Sequence, residues 1–338
     1  MGPYVLKRLL WMVPTLIGIS LVTFVLMEFA PGDRVLRELE GSSEQHSVSD
    51  LRVRAENRRR LMIHHGLIDS ETGREIPWAE RYWRWLRNAA VFEFAGSSSS
   101  TRFSERIAQA LPVTLLLNTL ALCLALLVAI PLGTLVGMRT GGTLDRLVSG
   151  FAFLLWGVPE FLLATLLILC FGGGFFSSIL PVVGLQSDDV AQLGILEKVW
   201  DLLAHLCLPV LAMTIGYAVV LYRFLRESIA RVSTSDFVLA LRGLGVPEST
   251  VRRRVLRNGL SPVITLLGAM LPTLVAGTVV VERVFSLPGI GWLTVTAVGE
   301  RDMPMVMALT MLVATVTLVS LLLSDIVQRV IDPRIELR

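Results

Sequence analysis

Residues 113–138 read VTLLLNTLALCLALLVAIPLGTLVGM, a run of 26 residues without a charged side chain. A helix needs about 20 apolar residues to cross the hydrocarbon core of a bilayer, so this run predicts a transmembrane helix. Stretches of similar length without Asp, Glu, Lys or Arg include 9–27, 202–222, 259–281 and 303–324.

A sixth apolar stretch, 147–187, carries a single charge and is too long for one helix. The glycines at 172–174 and Pro181 predict that its span ends near residue 172. The chain is therefore predicted to be an all-α polytopic membrane protein with six transmembrane helices. We place an N-terminal helix within 1–30, and a core of five helices over 112–330, near 113–138, 150–172, 202–222, 259–281 and 303–324.

The overall composition supports this fold class. The 338 residues are 53% hydrophobic and the mean hydropathy is +0.66, which is too apolar for an ordinary soluble domain. The net charge is only +3, so nucleic acid is not an expected partner. No two cysteines have metal-ligand spacing, and no phosphate-binding G-x-x-x-x-G-K-[ST] motif occurs. We therefore predict no catalytic site, metal or cofactor in this chain.

The distribution of basic residues predicts the orientation in the membrane. Cytoplasmic loops carry an excess of Lys and Arg, and long loops cross largely regardless of charge. Both termini, including a tail at 331–338, are therefore predicted to be cytoplasmic, and the long segment 31–111 is predicted to be extracytoplasmic. The basic residues that decide this are Lys7, Arg8, Arg139, Arg146 and those of the loop 223–262.

The external segment contains one amphipathic pattern, in the stretch 77–86. The apolar residues Trp78, Tyr82, Trp85 and Leu86 recur at helical spacing and share one face. Aromatic side chains at that spacing suit a helix lying at the membrane–water boundary. A shelf of aromatic rings that binds carbohydrate or peptide is the alternative.

The loop 223–262 is strongly basic, with eight arginines against three acidic residues. Within it, 236–245 predicts a short helix, with Asp236 as the N-cap and Gly245 at the C′ position. A second helix is predicted to start near 247–250 and to continue into the next span. The residues expected to form an apolar stripe on the first helix are Phe237, Ala240, Leu241 and Leu244. Such a helix suits either an anionic lipid surface or a groove in a soluble partner.

Glu160 is the one carboxylate predicted to lie near the middle of a span, directly after Pro159. A charge at that depth is costly, so it should face a partner or a water-filled cavity. Pro159 is expected to kink the helix. Two interpretations remain open: a substrate-pathway group that meets a cation such as a peptide amine, or a structural glutamate, either paired with an arginine or protonated.

The loop resembles the cytoplasmic loop of ABC importer permeases, in Asp236-Phe-Val-x-Ala-x-Arg-x-x-Gly245 followed by Arg257-Asn-Gly-x-x-Pro262. It is most similar to the first permease subunit of the oligopeptide and dipeptide importers. The other matching stretches, in the same order as in that subunit, are Arg8-Leu-Leu, Pro14-Thr-Leu, Ala30-Pro-Gly-Asp33, Glu282-x-Val-Phe-Ser-x-Pro-Gly-Ile-Gly291, Arg301-Asp-x-Pro304, Asp325 and Asp332-Pro-Arg-Ile335.

This resemblance implies a permease core with an added N-terminal helix, in the bacterial inner membrane. It implies a second homologous permease subunit, two ATPase subunits that bind ATP and Mg, an extracytoplasmic substrate-binding protein and a peptide substrate, besides membrane lipid. The residues that it implies for ATPase coupling are Asp236, Phe237, Ala240, Leu241, Arg242, Gly245, Asn258 and Pro262. Related permeases import nickel complexes, opines or sugars, which are alternatives, as is a membrane scaffold or enzyme with a lipid-binding loop.

The chain departs from the family pattern at one place in the loop. Where the general motif has Glu-Ala-Ala, this sequence has Leu239-Ala240-Leu241, and Leu244 stands where peptide importers have small or basic residues. The predicted docking surface is therefore more apolar than the pattern, which bears on the choice of ATPase partner.

Overall fold

The computed structural model of the chain describes residues 2–29, 51–64, 67–69, 72–90, 100–173 and 179–331. Within these ranges the structure is helical, and the one extended pairing is a single bridge between Ile68 and Glu75. The α-helices are α1 Gly2–Glu28, α2 Leu51–His64, α3 Trp78–Ala90, α4 Ser100–Gly137, α5 Thr143–Trp156, α6 Glu160–Phe171, α7 Ile195–Ser233, α8 Asp236–Gly243, α9 Glu248–Gly259, α10 Ser261–Met270, α11 Thr273–Ala276, α12 Val279–Val284, α13 Ile290–Glu300 and α14 Met303–Ile331.

The number of helices that could cross a membrane agrees with the sequence. Five segments of the described chain are long and apolar enough: α1, α4, α7, the stretch Glu248–Val284 and α14. Helices α5 and α6 pass the same test together, as a pair bent by 100°. Counting that pair as one span gives six, so the predicted all-α membrane fold is confirmed.

The span predicted near 150–172 is not one helix: at the predicted kink the chain breaks between Trp156 and Glu160, and the two helices are bent by 100°. Pro159 lacks an N–H group and disfavours the helical conformation of the residue before it, so α5 cannot continue through it. The Pro159 carbonyl instead accepts the N–H groups of Leu162 and Leu163 and starts α6. Glu160 is therefore the first residue of a new helix and not a mid-helix residue.

The predicted single helix over 259–281 is also wrong. This stretch is divided among α10, α11 and α12. Pro272 lies at the first break, and Gly277 at the second has a φ of 77°, a left-handed conformation that interrupts a right-handed helix. The other spans are longer than predicted: α4 has 38 residues, α7 has 39 and α14 has 29.

The chain divides into two compact units, Met1–Ala110 with Leu293–Thr315 and Leu111–Trp292 with Val316–Arg338. In the first unit, α3 packs against α1. The hydroxyls of Tyr82 and Ser20 are hydrogen-bonded at 2.9 Å, and the Tyr82 ring meets Phe24 edge to face with 5.3 Å between centroids. Arg81 forms an ion pair with Glu28 close to this contact.

The predicted aromatic face of α3 is confirmed in part. Tyr82, Trp85 and Leu86 are half-buried, whereas Trp78 is 46% exposed and does not belong to the packed face. The helix α2, over Leu51–His64, was not predicted.

In the second unit, α7 is the central element of the core. Gly133 and Gly137 of α4 let that helix approach Leu225 and Ile229 of α7 so closely that an added Cβ would lie 3.0 and 2.8 Å from them. Small residues allow this kind of close helix contact in membrane proteins. The core residues that surround α7 on this side are Ala125, Ala129, Val136, Val238, Val251, Val255 and Val263.

Some predictions fall outside the described residues. They are the first part of the external segment, over 31–50, the tail at 332–338, and the motifs Ala30-Pro-Gly-Asp33 and Asp332-Pro-Arg-Ile335.

Candidate functional site

The predicted helix within the loop 223–262 is α8, Asp236–Gly243. Its N-cap is Ser235 and not Asp236, so that detail of the prediction is wrong. Asp236 is the first helical residue, and the N-cap Ser235 makes no side-chain capping hydrogen bond. The Asp236 carboxylate still lies in the first turn, where a negative charge interacts favourably with the helix dipole.

The C-terminal end of α8 is fixed by a glycine in the left-handed conformation, as predicted. Gly245 has a φ of 71° and occupies the C′ position after the C-cap Leu244. The N–H of Gly245 donates to the Arg242 carbonyl at 3.0 Å, and the N–H of Val246 donates to the Leu241 carbonyl at 3.1 Å. This pair of bonds is the Schellman motif, which satisfies the last carbonyls of a helix and reverses the chain.

Helix α8 presents an apolar face outward. Phe237, Leu239 and Leu244 are 40%, 57% and 80% exposed, and Ala240 is exposed beside them. The predicted stripe is wrong at Leu241, which is partly buried and packs on the core around α7. We define these four exposed residues, Phe237, Leu239, Ala240 and Leu244, as the α8 face.

The fully buried residue of α8 is Val238, which anchors the helix on the core together with the partly buried Leu241. Val238 is fully buried and belongs to the same core cluster as Leu225, Ile229 and Val255. Full burial of a valine side chain stabilises its contact by about 1.5–3 kcal/mol. The anchor was not predicted, and it ties α8 to the end of α7 and to α9.

The basic side chains of α8 and α9 lie at the surface. Arg242 of α8 donates to the Glu248 carboxylate of α9 at 3.1 Å, and both side chains are 49% exposed, so this pair adds little stability. The arginines Arg252, Arg253, Arg254 and Arg257 of α9 are exposed.

The turn from α9 into α10 holds the other two predicted coupling residues. Asn258 and Pro262 are both exposed, and Pro262 lies in the first turn of α10, where its missing N–H costs nothing. Between them, Gly259 packs so tightly against Ile229 of α7 that a Cβ at this position would overlap that side chain.

Glu160 lies beside a polar group within the membrane-spanning helices. It is half-buried and within electrostatic reach of the Tyr217 phenol of α7. The Tyr217 hydroxyl donates to the Asn118 Oδ1 atom of α4 at 2.8 Å, and Asn118 donates to the Thr114 carbonyl at 2.9 Å. Among the described residues, no hydrogen bond or ion pair engages the Glu160 carboxylate, so the alternative of a structural pair with an arginine finds no support there.

Sequence reasoning assigned no role to Glu282, which is fully buried in α12. Its Oε1 atom accepts the Thr114 hydroxyl at 2.9 Å, and its Oε2 atom accepts the Trp292 N–H at 2.8 Å. The Thr114 oxygen in turn accepts the Ile290 N–H at 2.8 Å. A Cβ on Gly289 would overlap the carboxylate. Glu282 therefore joins α4 to α12 and to the start of α13.

Sequence reasoning also missed Asp145, a buried carboxylate at the start of α5. Arg226 of α7 donates to its Oδ1 and Oδ2 atoms at 2.8 and 2.6 Å, a bidentate pair that holds α5 against α7. The sequence pattern around Asp145 gave little indication of burial, because Asp145 lies beside Arg146 in a short polar connection, which is typical of a solvated loop.

Comparison with known proteins places these features in a family. The profile described as "Binding-protein-dependent transport system inner membrane component" matches residues 129–337. The oligopeptide transport system permease protein AppB of Bacillus subtilis is 32% identical over 99% of this chain and 100% of its own.

Two further relatives are named for the transport of different substrates. The dipeptide transport system permease protein DppB of B. subtilis is 28% identical, over 100% of this chain and 99% of its own. The metal-staphylopine import system permease protein CntB of Staphylococcus aureus is 28% identical, over 99% and 98%. The chain thus belongs to the inner-membrane permease components of binding-protein-dependent ABC transport systems.

Proposed function

We propose that this chain forms half of the translocation pathway of an ATP-driven peptide importer and couples to cytoplasmic ATPase subunits through α8. The α8 face carries this proposal. It is an exposed apolar patch on a helix whose other side is anchored by Val238 and whose end is fixed by Gly245. The relatives named for oligopeptide and dipeptide transport support a peptide substrate.

The proposed orientation places α8 and both termini in the cytoplasm. The support is the excess of arginine over acidic residues in 223–262, together with Lys7 and Arg8 before the first span. An extracytoplasmic binding protein would then deliver substrate from the side opposite α8, and the pathway would lie between this chain and a second permease subunit.

In the proposed mechanism, α8 acts as a rigid lever. Its anchor on α7 and its capped end leave it little freedom to move alone, so closure of the ATPase subunits would displace α8 and α9 together. Asn258 and Pro262 stand where α9 meets α10 and would pass that movement into the membrane segment. The ATPases must dock more tightly in one state than in the other, because equal binding shifts no equilibrium.

Co-purification tests the partners. Extracting the natively expressed chain with a C-terminal tag should recover two ATPase subunits and a second permease in defined stoichiometry, measured by mass photometry. A lipid-binding scaffold or an enzyme would be recovered without them, and that result would overturn the proposal.

Glu160 is the proposed contact for the positively charged amino terminus of the peptide. Its carboxylate is half-buried and has no cationic partner among the described residues, and Tyr217 and Asn118 add polar groups nearby. A cationic ligand would supply the missing charge. This assignment is separate from the docking of α8.

Glu160→Gln is expected to lower uptake of peptides with a free amino terminus by roughly tenfold, since a hydrogen bond to a charged group contributes about 1.5–3 kcal/mol. Uptake of the same peptides with an acetylated amino terminus should not change. The measurement is competition between the two labelled peptides in proteoliposomes that hold the complete complex, with Glu160→Asp as the charge-conserving control. An equal loss for both peptides would show that Glu160 is structural.

A further inference from the structure

A cavity of about 480 Å³ opens between α5 and the C-terminal part of α7, where α7 enters the basic loop. It lies apart from the α8 face and from Glu160. The side chains that decide its chemistry are Asp145, Arg146, Ser149, Tyr222, Arg223 and Arg226.

Part of this lining is already paired within the protein. Arg226 is held by its bidentate pair with Asp145, and Ser149 is hydrogen-bonded both to Asp145 at 3.0 Å and to the Tyr222 hydroxyl at 2.9 Å. These groups form a closed network that fixes the distance between α5 and α7. They give the cavity its shape and leave ligand binding to the two remaining arginines.

Arg146 and Arg223 lie at the edge of the cavity, and neither guanidinium forms an ion pair within the described part of the chain. Both are exposed, and no carboxylate among the described residues lies within ion-pair distance of either. The Arg223 guanidinium lies 5.2 Å from the centre of the Trp156 ring. Glu227 also lines the cavity, and its carboxylate has its own cation, Arg231, at 3.5 Å.

The surface next to these arginines is apolar. Leu147, Phe153 and Trp156 of α5 are 67%, 65% and 59% exposed. In a membrane span, exposed apolar side chains of this kind suit contact with lipid acyl chains, which are equally apolar. The cavity is therefore lined by Arg146, near the start of α5, and by Arg223, whose guanidinium lies against Trp156, with exposed apolar side chains of α5 beside them.

We infer that this cavity binds the headgroup phosphate of an anionic phospholipid, whose acyl chains lie along the exposed face of α5. Guanidinium groups match the geometry of phosphate oxygens and bind them in bidentate fashion. Two uncompensated cations favour a lipid with net negative charge over a zwitterionic one, because the ammonium group of the latter would be repelled. The adjoining apolar surface favours a lipid over a soluble anion.

The test uses the full chain with its co-purifying subunits in nanodiscs of phosphatidylcholine that contain a minor fraction of phosphatidylglycerol. Native mass spectrometry counts the phosphatidylglycerol retained by each complex. The double variant Arg146→Gln/Arg223→Gln should lower the apparent affinity for phosphatidylglycerol roughly tenfold to a hundredfold, because it removes two charged hydrogen-bond donors.

The matched control is Arg253→Gln/Arg254→Gln, which removes the same charge from the exposed surface of α9 and should leave lipid retention unchanged. Equal retention in both double variants would overturn the proposal. So would displacement of phosphatidylglycerol by inorganic phosphate, which would assign the cavity to a soluble anion. Loss of a protein subunit with unchanged lipid retention would instead assign the two arginines to a protein interface.

Discussion

Ala240→Glu is expected to lower ATP-driven peptide uptake about a hundredfold while the chain still inserts and folds. Ala240 lies at the centre of the α8 face, between Phe237 and Leu244, and its side chain is exposed in the isolated chain. If this face fills an apolar groove on the ATPase, a glutamate there would be buried without a partner. An unpaired buried charge costs about 3 kcal/mol or more, which corresponds to about a hundredfold in docking.

The measurement is peptide uptake per ATP hydrolysed in proteoliposomes that contain the complete complex and its binding protein. Ser249→Glu is the matched control, since it adds the same charge to an exposed position of α9, outside the α8 face. Peptide uptake per ATP hydrolysed should stay within about twofold of the wild type, because an exposed charge contributes little to stability.

A second variant, Gly245→Pro, tests the same coupling role by changing the backbone conformation at the end of α8. Proline fixes φ near −65° and has no N–H, whereas Gly245 has a φ of 71° and donates to the Arg242 carbonyl. Gly245→Pro should therefore change the direction of the chain after α8 and uncouple transport from hydrolysis. Normal uptake in both Ala240→Glu and Gly245→Pro would eliminate α8 as the coupling element.

The α8 segment shows what sequence patterns can and cannot predict. Gly245 was predictable because a left-handed residue at the end of a helix is nearly always glycine. The inward residue was not, because 237–241 is apolar on every side and periodicity alone allows several stripes. Packing against α7 selects Val238, a small β-branched side chain, and leaves Leu239 and Ala240 outside.

The spans were predictable as apolar segments but not as continuous helices. Hydropathy depends on composition, which is the same for a straight helix and for a pair bent by 100°. Pro159 predicted a distortion, but its size depends on tertiary contacts of α5 and α6. The break at Gly277 had no proline to mark it, and a glycine inside an apolar run is common in membrane helices.

Glu282 was missed for a related reason. It is followed by Arg283 at the end of an apolar run, a pattern typical of a solvated helix end. In the folded chain it is fully buried, and the groups that satisfy it come from the start of α13, 10 residues away, and from α4, 168 residues away. No local pattern can indicate a partner such as Thr114, more than a hundred residues distant.

Glu282→Ala is therefore expected to be the most destabilising of the substitutions considered, by about 3 kcal/mol or more. It removes the acceptors of the Thr114 hydroxyl and the Trp292 N–H, and an unsatisfied buried donor costs about 1–3 kcal/mol. The apparent unfolding temperature of the purified chain should fall by about 5–10 °C. Glu282→Gln keeps the shape and one acceptor, so it should lie between the alanine variant and the wild type.

The control is Glu227→Ala, which makes the same change at a side chain that is 73% exposed and 3.5 Å from an equally exposed arginine. That pair contributes almost nothing, so the variant should unfold within about 1 °C of the wild type. Thermal unfolding followed by tryptophan fluorescence gives the comparison, and equal midpoints for the two alanine variants would contradict the structural role of Glu282. A lower midpoint for Glu282→Gln than for the wild type, at conserved side-chain volume, would show that the buried acceptors help to hold α12 and the start of α13 to α4.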